Sequence, residues 1–424
     1  MVDENSKSRT AGIIKTIGPG ILFAGAAIGG SHLVQSTKAG AIYGFGLVWA
    51  VVLANLFKYP FFEFSHRYTA TTRETVIDGY ARLGKLALWG FLAIALFSGV
   101  VNIAGVTAVT AALAGNLFSA ALSPAAWTLI MSSICVGLLA AGHYPALDGV
   151  VKAVVALLAV STAVAFFAAV LHGGNAAPGA TAPPMWDLAG VTFLIALMGW
   201  MPAPIDVGVW PSLWSLERRK QTGHTPSLKE ALVDFHIGYI GTFVLALFFL
   251  GLGALVMFGT GETPAVQGVP FANQLIQLYT KTLGGWSYYF IAVAAFTCMF
   301  STTLTCFDGY TRAVHGAFCL AVGRKKAHRE DVLYWVLMIF FMATTIVVVT
   351  WFAGSMTNLV NFATIMAFLT APVMALLNFR LIFSSHVPQE GKPGPWLRWL
   401  AYAGLVFLSG FAIFYVYQWL AAGR

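Results

Sequence analysis

The chain has 424 residues, of which 58% are hydrophobic and only 9% charged, with a mean hydropathy of +0.78 and a formal net charge of +8. A soluble domain cannot solvate such a surface, so the composition excludes a soluble enzyme or binding module and points to a chain that crosses a bilayer many times. The basic excess excludes a nucleic-acid surface too, because it is spread over short connections rather than gathered in one patch.

The opening stretch, MVDENSKSRTAG, is polar and mixed in charge, and no cleavable signal follows it. Apolar runs of roughly 20 residues, the length that crosses a bilayer, come at 18–43, 44–65, 87–117, 126–141, 150–171 and 188–213. They continue at 232–258, 286–322, 332–352, 358–383 and 397–420. These predict about eleven helices. With the N-terminus in the cytoplasm, the inner segments carry Lys7, Arg9 and Lys15, then Arg67, Arg73, Arg82 and Lys85, then Arg218, Arg219, Lys220 and Lys229. Further inner segments hold Arg324, Lys325, Lys326 and Arg329, then Arg380, Lys392 and Arg398. Outer segments hold little beyond Lys281, and Arg424 ends the chain outside. This asymmetry follows the positive-inside rule and supports the helix count, since one missed span would scramble it.

The uncharged loop HGGNAAPGATAPPMWD (172–187) parts the first five spans from the next five. The sequence therefore predicts one transmembrane unit, with a first repeat over 15–171, a second over 188–384 and an additional helix over 396–421. Cys135, Cys298, Cys306 and Cys319 lie in apolar stretches without C-x-x-C spacing, which argues against a disulfide framework or a zinc site and for burial as small apolar groups.

Two spans are interrupted. Gly29-Gly30-Ser31-His32 falls in the middle of the first, and Pro202 and Pro204 fall in the middle of the sixth. Each proline removes a backbone donor and turns the preceding residue away from helix, so unwinding is predicted at 28–31 and 201–205. Irregular backbone at membrane depth is tolerated only where it is buried in protein or lines a cavity. Breaks in the first and sixth spans of a five-plus-five arrangement are what an inverted-repeat secondary transporter places around its substrate.

The residues around these breaks resemble the Nramp family of proton-coupled divalent-metal transporters. The first span reads without a gap against that family from Gly18-Pro19-Gly20 through Ala39-Gly40 to Tyr43-Gly44. SHRYTATTRETV (65–76) is similar to its Ser-x-Arg…Thr-Gly-Arg-Asp stretch, and Met201-Pro202-Ala203 to its Met-Pro-His. FSTTLTCFDGYTRAV (300–314) and LVNFATIMAFLTAPVMALLN (359–378) resemble its eighth and tenth helices. The resemblance covers most of the first ten spans and implies an all-α, leucine-transporter-like 5+5 inverted repeat with helices 1 and 6 broken.

The departures concern the chemistry. The resemblance puts Gly29, Gly30, Ser31 and His32 where the family's metal-binding Asp-Pro-Gly-Asn stands. Met201 is kept, the histidine after Met-Pro is Ala203, and a second family histidine falls near Gly208. The family's acidic pair associated with proton movement falls near Asn102 and Gly105.

Two readings of the site follow. In the first, Gly29, Gly30 and Ser31 present backbone N–H groups at the start of the outer half-helix, with Ser31 as N-cap, and hold the carboxylate of a small organic substrate or amino acid. Trp200 lines that pocket beside Met201 and Ala203. In the alternative, His32 and Met201, with carbonyls freed by unwinding, bind a divalent or soft metal ion; otherwise no metal and no cofactor is expected. Of the intramembrane charges, Asp206 is either a helix cap or a substrate- and proton-coupling group, and Glu63 is the next coupling candidate. Lys38 and Lys58 are also candidates, whereas Asp308 and Arg312, four residues apart, read as a structural pair. Tyr43 and Trp210 read as packing or interface aromatics. The expected partners are a small-molecule substrate, the lipid bilayer of a bacterial inner membrane and protons. A sensor or membrane enzyme is disfavoured, because no catalytic grouping or phosphate loop is present.

Overall fold

The structure, a computed structural model, describes residues 18–118, 122–142, 144–174, 177, 179–324, 331–352 and 354–422. Of the basic residues that carry the orientation argument, Lys7, Arg9, Lys15, Lys325, Lys326, Arg329 and Arg424 lie outside the described residues. No strand occurs among the described residues.

The first span opens as α1 (Pro19–Ala27), stops at Ile28-Gly29, resumes as one π-helical stretch at Gly30–Ser36 and ends as α2 (Thr37–Tyr43). The second span is α3 (Val48–Thr72), and a short α4 (Val76–Leu83) leads to α5 (Lys85–Phe118). Then come α6 (Pro124–Ala140) and α7 (Tyr144–Leu171). The sixth span begins as α8 (Leu188–Gly199), loses helical form over 200–204, passes through one 3-10 stretch at Ile205–Val209 and continues as α9 (Trp210–Thr222). After it come α10 (Leu228–Val256), α11 (Gly268–Leu283), α12 (Ser287–Ala321), α13 (Val332–Trp351), α14 (Met356–Ile382) and α15 (Pro395–Ala422). Each predicted span is present as helix; most ends agree within a few residues, but the second runs to Thr72 rather than 65, the fifth starts at Tyr144 rather than 150 and the sixth runs to Thr222 rather than 213.

The predicted break in the sixth span coincides with the observed one. In the first span the unwound part is shorter than predicted, because Gly30 and Ser31 already belong to the π-helical stretch. Two helices escaped the sequence reading. A search for apolar runs of roughly 20 residues passes over α4, which starts from a reciprocal capping box between Thr75 and Asp78. It also passes over α11, which buries Phe271, Leu275, Ile276 and Tyr279 on one face only.

Local chemistry explains where the first span starts. Pro19 has no N–H to satisfy, and the two amides around it, Gly18 N–H and Gly20 N–H, donate to the Asp234 carboxylate of α10 at 3.1 and 2.6 Å. The negative group sits where the helix dipole favours it. Further along, α2 lies so close to α10 that a Cβ on Gly40 would stand 1.9 Å from the Leu250 carbonyl oxygen, and one on Gly253 would stand 2.2 Å from that of Thr37. Small residues at such crossings let helix backbones meet where the bilayer offers no hydrophobic drive. Inside the bundle α5 and α12 form the most extensive helix pair, with α14 against both α5 and α8. The broken spans are thus enclosed by α3, α5, α10, α12 and α14.

Candidate functional site

The two breaks face each other. The Ser31 hydroxyl lies 3.4 Å from the Pro202 carbonyl oxygen. A Cβ on Gly30 would come within 2.4 Å of the Trp200 ring, so only a glycine lets that ring lie on the first break. Between them is a cavity with Gly30, Ser31, Trp200 and Ala203 in its wall, which brings together four of the residues expected from sequence. It has about 30 Å³ open to water-sized occupants, where one water needs about 10–15 Å³. That is room for about two waters.

Backbone groups freed by the breaks are taken up from other helices. Cys298 Sγ reaches the Ile28 oxygen at 2.9 Å, and Thr302 Oγ1 reaches that of Gly25 at 3.1 Å, both from α12. At the second break the fully buried Lys58 of α3 donates to the carbonyls of Met198, Gly199 and Ala203 at 2.7, 2.8 and 3.3 Å. An ammonium with three hydrogens and no acceptor matches three converging carbonyls. Lys58 therefore takes three of the oxygens at the second break that the metal alternative expected to be free, while Pro202 remains in the cavity wall.

A chain of side-chain hydrogen bonds leaves the cavity. Trp200 Nε1–H donates to Asn102 Oδ1 at 2.9 Å, Asn102 Nδ2–H donates to the Tyr310 hydroxyl at 2.5 Å, and Tyr310 donates to Asp206 Oδ2 at 3.0 Å. Asp206 is buried behind the wall, with its Oδ1 lacking a hydrogen-bond partner, and Lys58 supplies the nearby positive charge. The capping role considered for Asp206 is not seen: Pro204 occupies the N-cap of the 3-10 stretch and no side chain caps it. Asn102 and Gly105 stand where the resemblance placed the family's acidic pair. Asn102 now ties Trp200 to Tyr310, and Gly105 leaves space for the same Trp200 ring, whose Cη2 is 3.0 Å from where a Cβ would be.

Several expectations change at this level. Gly29 N–H donates to the Ala27 oxygen at 2.8 Å, so one of the three N–H groups expected to form the anion-binding nest is taken by the chain itself, and the next amide, His32 N–H, donates to the Gly29 oxygen at 3.1 Å. Ser31 is not an N-cap; Gly29 holds that position, and the Ser31 hydroxyl lies 2.7 Å from the Ala27 oxygen and 2.6 Å from His32 Nδ1, two acceptors for its one hydrogen. His32 is fully buried and turned from the cavity: Nε2 lies 2.9 Å from the Thr242 carbonyl, which only accepts, so Nε2 carries the hydrogen. Its Nδ1 meets Ser31 Oγ at 2.6 Å. Met201 is fully buried outside the cavity wall. Neither half of the metal pair proposed from sequence faces the space.

Glu63 is held away from the cavity by Arg67 at 2.5 Å, with His236 at 3.9 Å. Lys38 donates to Asn361 at 3.3 Å and lies 5.6 Å over the Phe193 ring, the ring that Tyr43 packs against. Asp308 and Arg312 pair at 2.7 Å, as their spacing predicts. The residues missed from sequence are Thr302, Cys306 and Tyr310, all in the cavity wall, and Trp210, which was assigned to packing but also lines it. Their signal was available: positions 302, 306 and 310 are four apart, one face of one helix.

The profile described as natural resistance-associated macrophage protein-like, Nramp, matches residues 20–418. The chain belongs to the Nramp family. Family members are membrane transporters rather than enzymes. An uncharacterized protein of Pasteurella multocida (strain Pm70) is 38% identical over 407 residues, 95% of this chain and 92% of its own. A mutant of the Eremococcus coleocola manganese transporter superposes with a TM-score of 0.72 at 13% identity, covering 94% of this chain and 85% of that one. MhsT in complex with L-phenylalanine superposes with a TM-score of 0.56 at 14% identity, covering 93% and 98%. These likenesses establish a leucine-transporter-like fold for this Nramp-family chain, an integral membrane secondary transporter.

Proposed function

We propose that this Nramp-family transporter carries a single metal cation of borderline or soft character, and not the small organic carboxylate or amino acid that the glycine break first implied. The observation that carries this is the cavity between the two breaks. Its room for about two waters suits one partly dehydrated ion, and its polar wall is Ser31, Asn102, Trp200, Thr302, Cys306 and Tyr310. A thiol beside hydroxyl and amide oxygens is a donor set for a borderline or soft ion more than for a hard one. The family membership and the similarity to a manganese transporter support the same reading.

The coupling follows from charge. A divalent ion in the cavity is opposed by the Lys58 ammonium and favoured by a deprotonated Asp206, reached through Tyr310. Ion binding and loss of the Asp206 proton are therefore linked, and ion affinity falls as pH drops. Alternating access then rocks one repeat (15–171) against the other (188–384). We place the N-terminus in the cytoplasm, the C-terminus outside and the protein in a bacterial plasma membrane, on the distribution of basic residues.

The test is uptake by the purified protein in proteoliposomes, with manganese, cobalt and zinc run beside a panel of amino acids and small carboxylates. Metal flux accompanied by a pH change in the lumen is expected. Flux of an organic solute without flux of any metal would overturn the reading.

A further inference from the structure

A second set of ligand-type side chains lies away from the cavity, at the end of α12 and the start of α13. His315 and Cys319 are four apart on α12, hence on one face, and both are fully buried. His315 Nε2 stands 3.1 Å from Asp331 Oδ2 and 3.5 Å from Cys319 Sγ. The three donor atoms lie within 4.8 Å of one another. Asp331 is fixed by a separate duty: its Oδ1 accepts the Leu333 N–H at 3.0 Å as the N-cap of α13, which turns Oδ2 toward His315. The Tyr334 ring meets the imidazole nearly edge-on at 6.0 Å between centroids and keeps it in place.

The spacing matches a coordination sphere. Zinc-class bonds of about 2.0–2.3 Å to nitrogen, oxygen and sulfur at tetrahedral angles put donors about 3.3–3.8 Å apart. Two of the three donor separations, 3.1 and 3.5 Å, are already near that range, and both share one nitrogen. An ion pair between His315 and Asp331 would need no thiol facing the same atom. Imidazole, thiolate and carboxylate together are a set for a borderline divalent ion, with a fourth position left for water.

We propose that His315, Cys319 and Asp331 form a binding site for a zinc-class divalent ion, distinct from the transport cavity, that clamps the end of α12 to the start of α13. On binding, the Cys319 thiol gives up its proton to solvent, and the hydrogen that Nε2 directs at the Asp331 carboxylate leaves it, so that the imidazole is neutral with its one hydrogen on Nδ1 and Nε2 can ligate. The site joins to its neighbour the helix that carries Thr302, Cys306 and Tyr310, so an ion there restrains a wall of the cavity. Cysteine spacing alone argued against a metal site in this chain; the third ligand comes from the next helix, which spacing does not show.

Cobalt(II), added to purified full-length protein in detergent, is the probe. A near-ultraviolet thiolate-to-cobalt charge-transfer band is expected in the wild type and in Cys306→Ala, and its loss is expected in Cys319→Ser. Asp331→Asn keeps the cap and the fold, checked by elution as a single species, and is expected to weaken cobalt binding more than about tenfold. A folded wild type without the band would overturn the proposal, as would a band that survives Cys319→Ser, or unchanged affinity in Asp331→Asn. The assay involves no transport, so its failure leaves the cavity's function untouched, and the reverse holds as well.

Discussion

Asp206 shows how much one side chain depends on residues far away in sequence. It follows the second break, and the sequence left it as cap or coupling group. The structure removes the first role and gives it Tyr310 as donor, with Lys58 as the nearby positive charge. Asp206→Asn keeps the shape and the bond to Tyr310 but fixes the charge. Proteoliposome uptake by this variant is expected to lose its pH dependence and to fall at least about tenfold, the scale of losing one charged interaction. A wild-type pH profile would return Asp206 to a structural role. Gly30 is the other decisive residue. Its Cα lies beneath the Trp200 ring, so Gly30→Ala must displace that ring and loosen its bond to Asn102. Uptake is expected to drop strongly while the thermal midpoint of the purified protein shifts by only a few degrees; full activity would place the substrate elsewhere.

At the level of elements, the broken helices were legible because Gly-Gly and Pro-x-Pro act through local backbone geometry. What holds the breaks together was not. Lys58 sits mid-span in α3, where a sequence reader sees only a costly charge, yet it donates to three carbonyls of the broken sixth span. Lys58→Met keeps the length and removes the donors, stranding those carbonyls and Asp206. A loss of about 3 kcal/mol or more is expected, read as a lower thermal midpoint by tryptophan fluorescence. Adding Asp206→Asn to Lys58→Met should recover part of that loss, because one buried charge no longer lacks its opposite. No recovery would mean that Lys58 acts on the carbonyls alone.

For the whole molecule, the hydropathy pattern was enough to predict about eleven helical spans, and the basic loops carry the proposed orientation, since both signals rest on composition averaged over roughly 20 residues. The packing that closes the bundle depends on single glycines at helix crossings. Gly253→Val would drive a side chain into the Thr37 carbonyl, 2.2 Å from the Cβ position, and part α2 from α10. The expected cost is about 3 kcal/mol, seen as poor yield and a lowered thermal midpoint. Gly25→Val, which meets nothing within 4 Å, is the control expected to fold normally.

The sequence alone determined the membrane class, the number of spans, the two interrupted helices and the pair Asp308–Arg312, because each is written in local composition or in a fixed spacing on one helix. His32 looked available and the glycine nest looked open, since a sequence does not show which way a side chain turns or which neighbour has already taken an N–H. Only the tertiary structure decided that His32 faces Thr242, that Trp200 covers Gly30, and that Tyr310 links the cavity to Asp206. Those facts join residues 98 to 210 positions apart in the chain. Such distances are closed by packing across helices, and no local pattern records them.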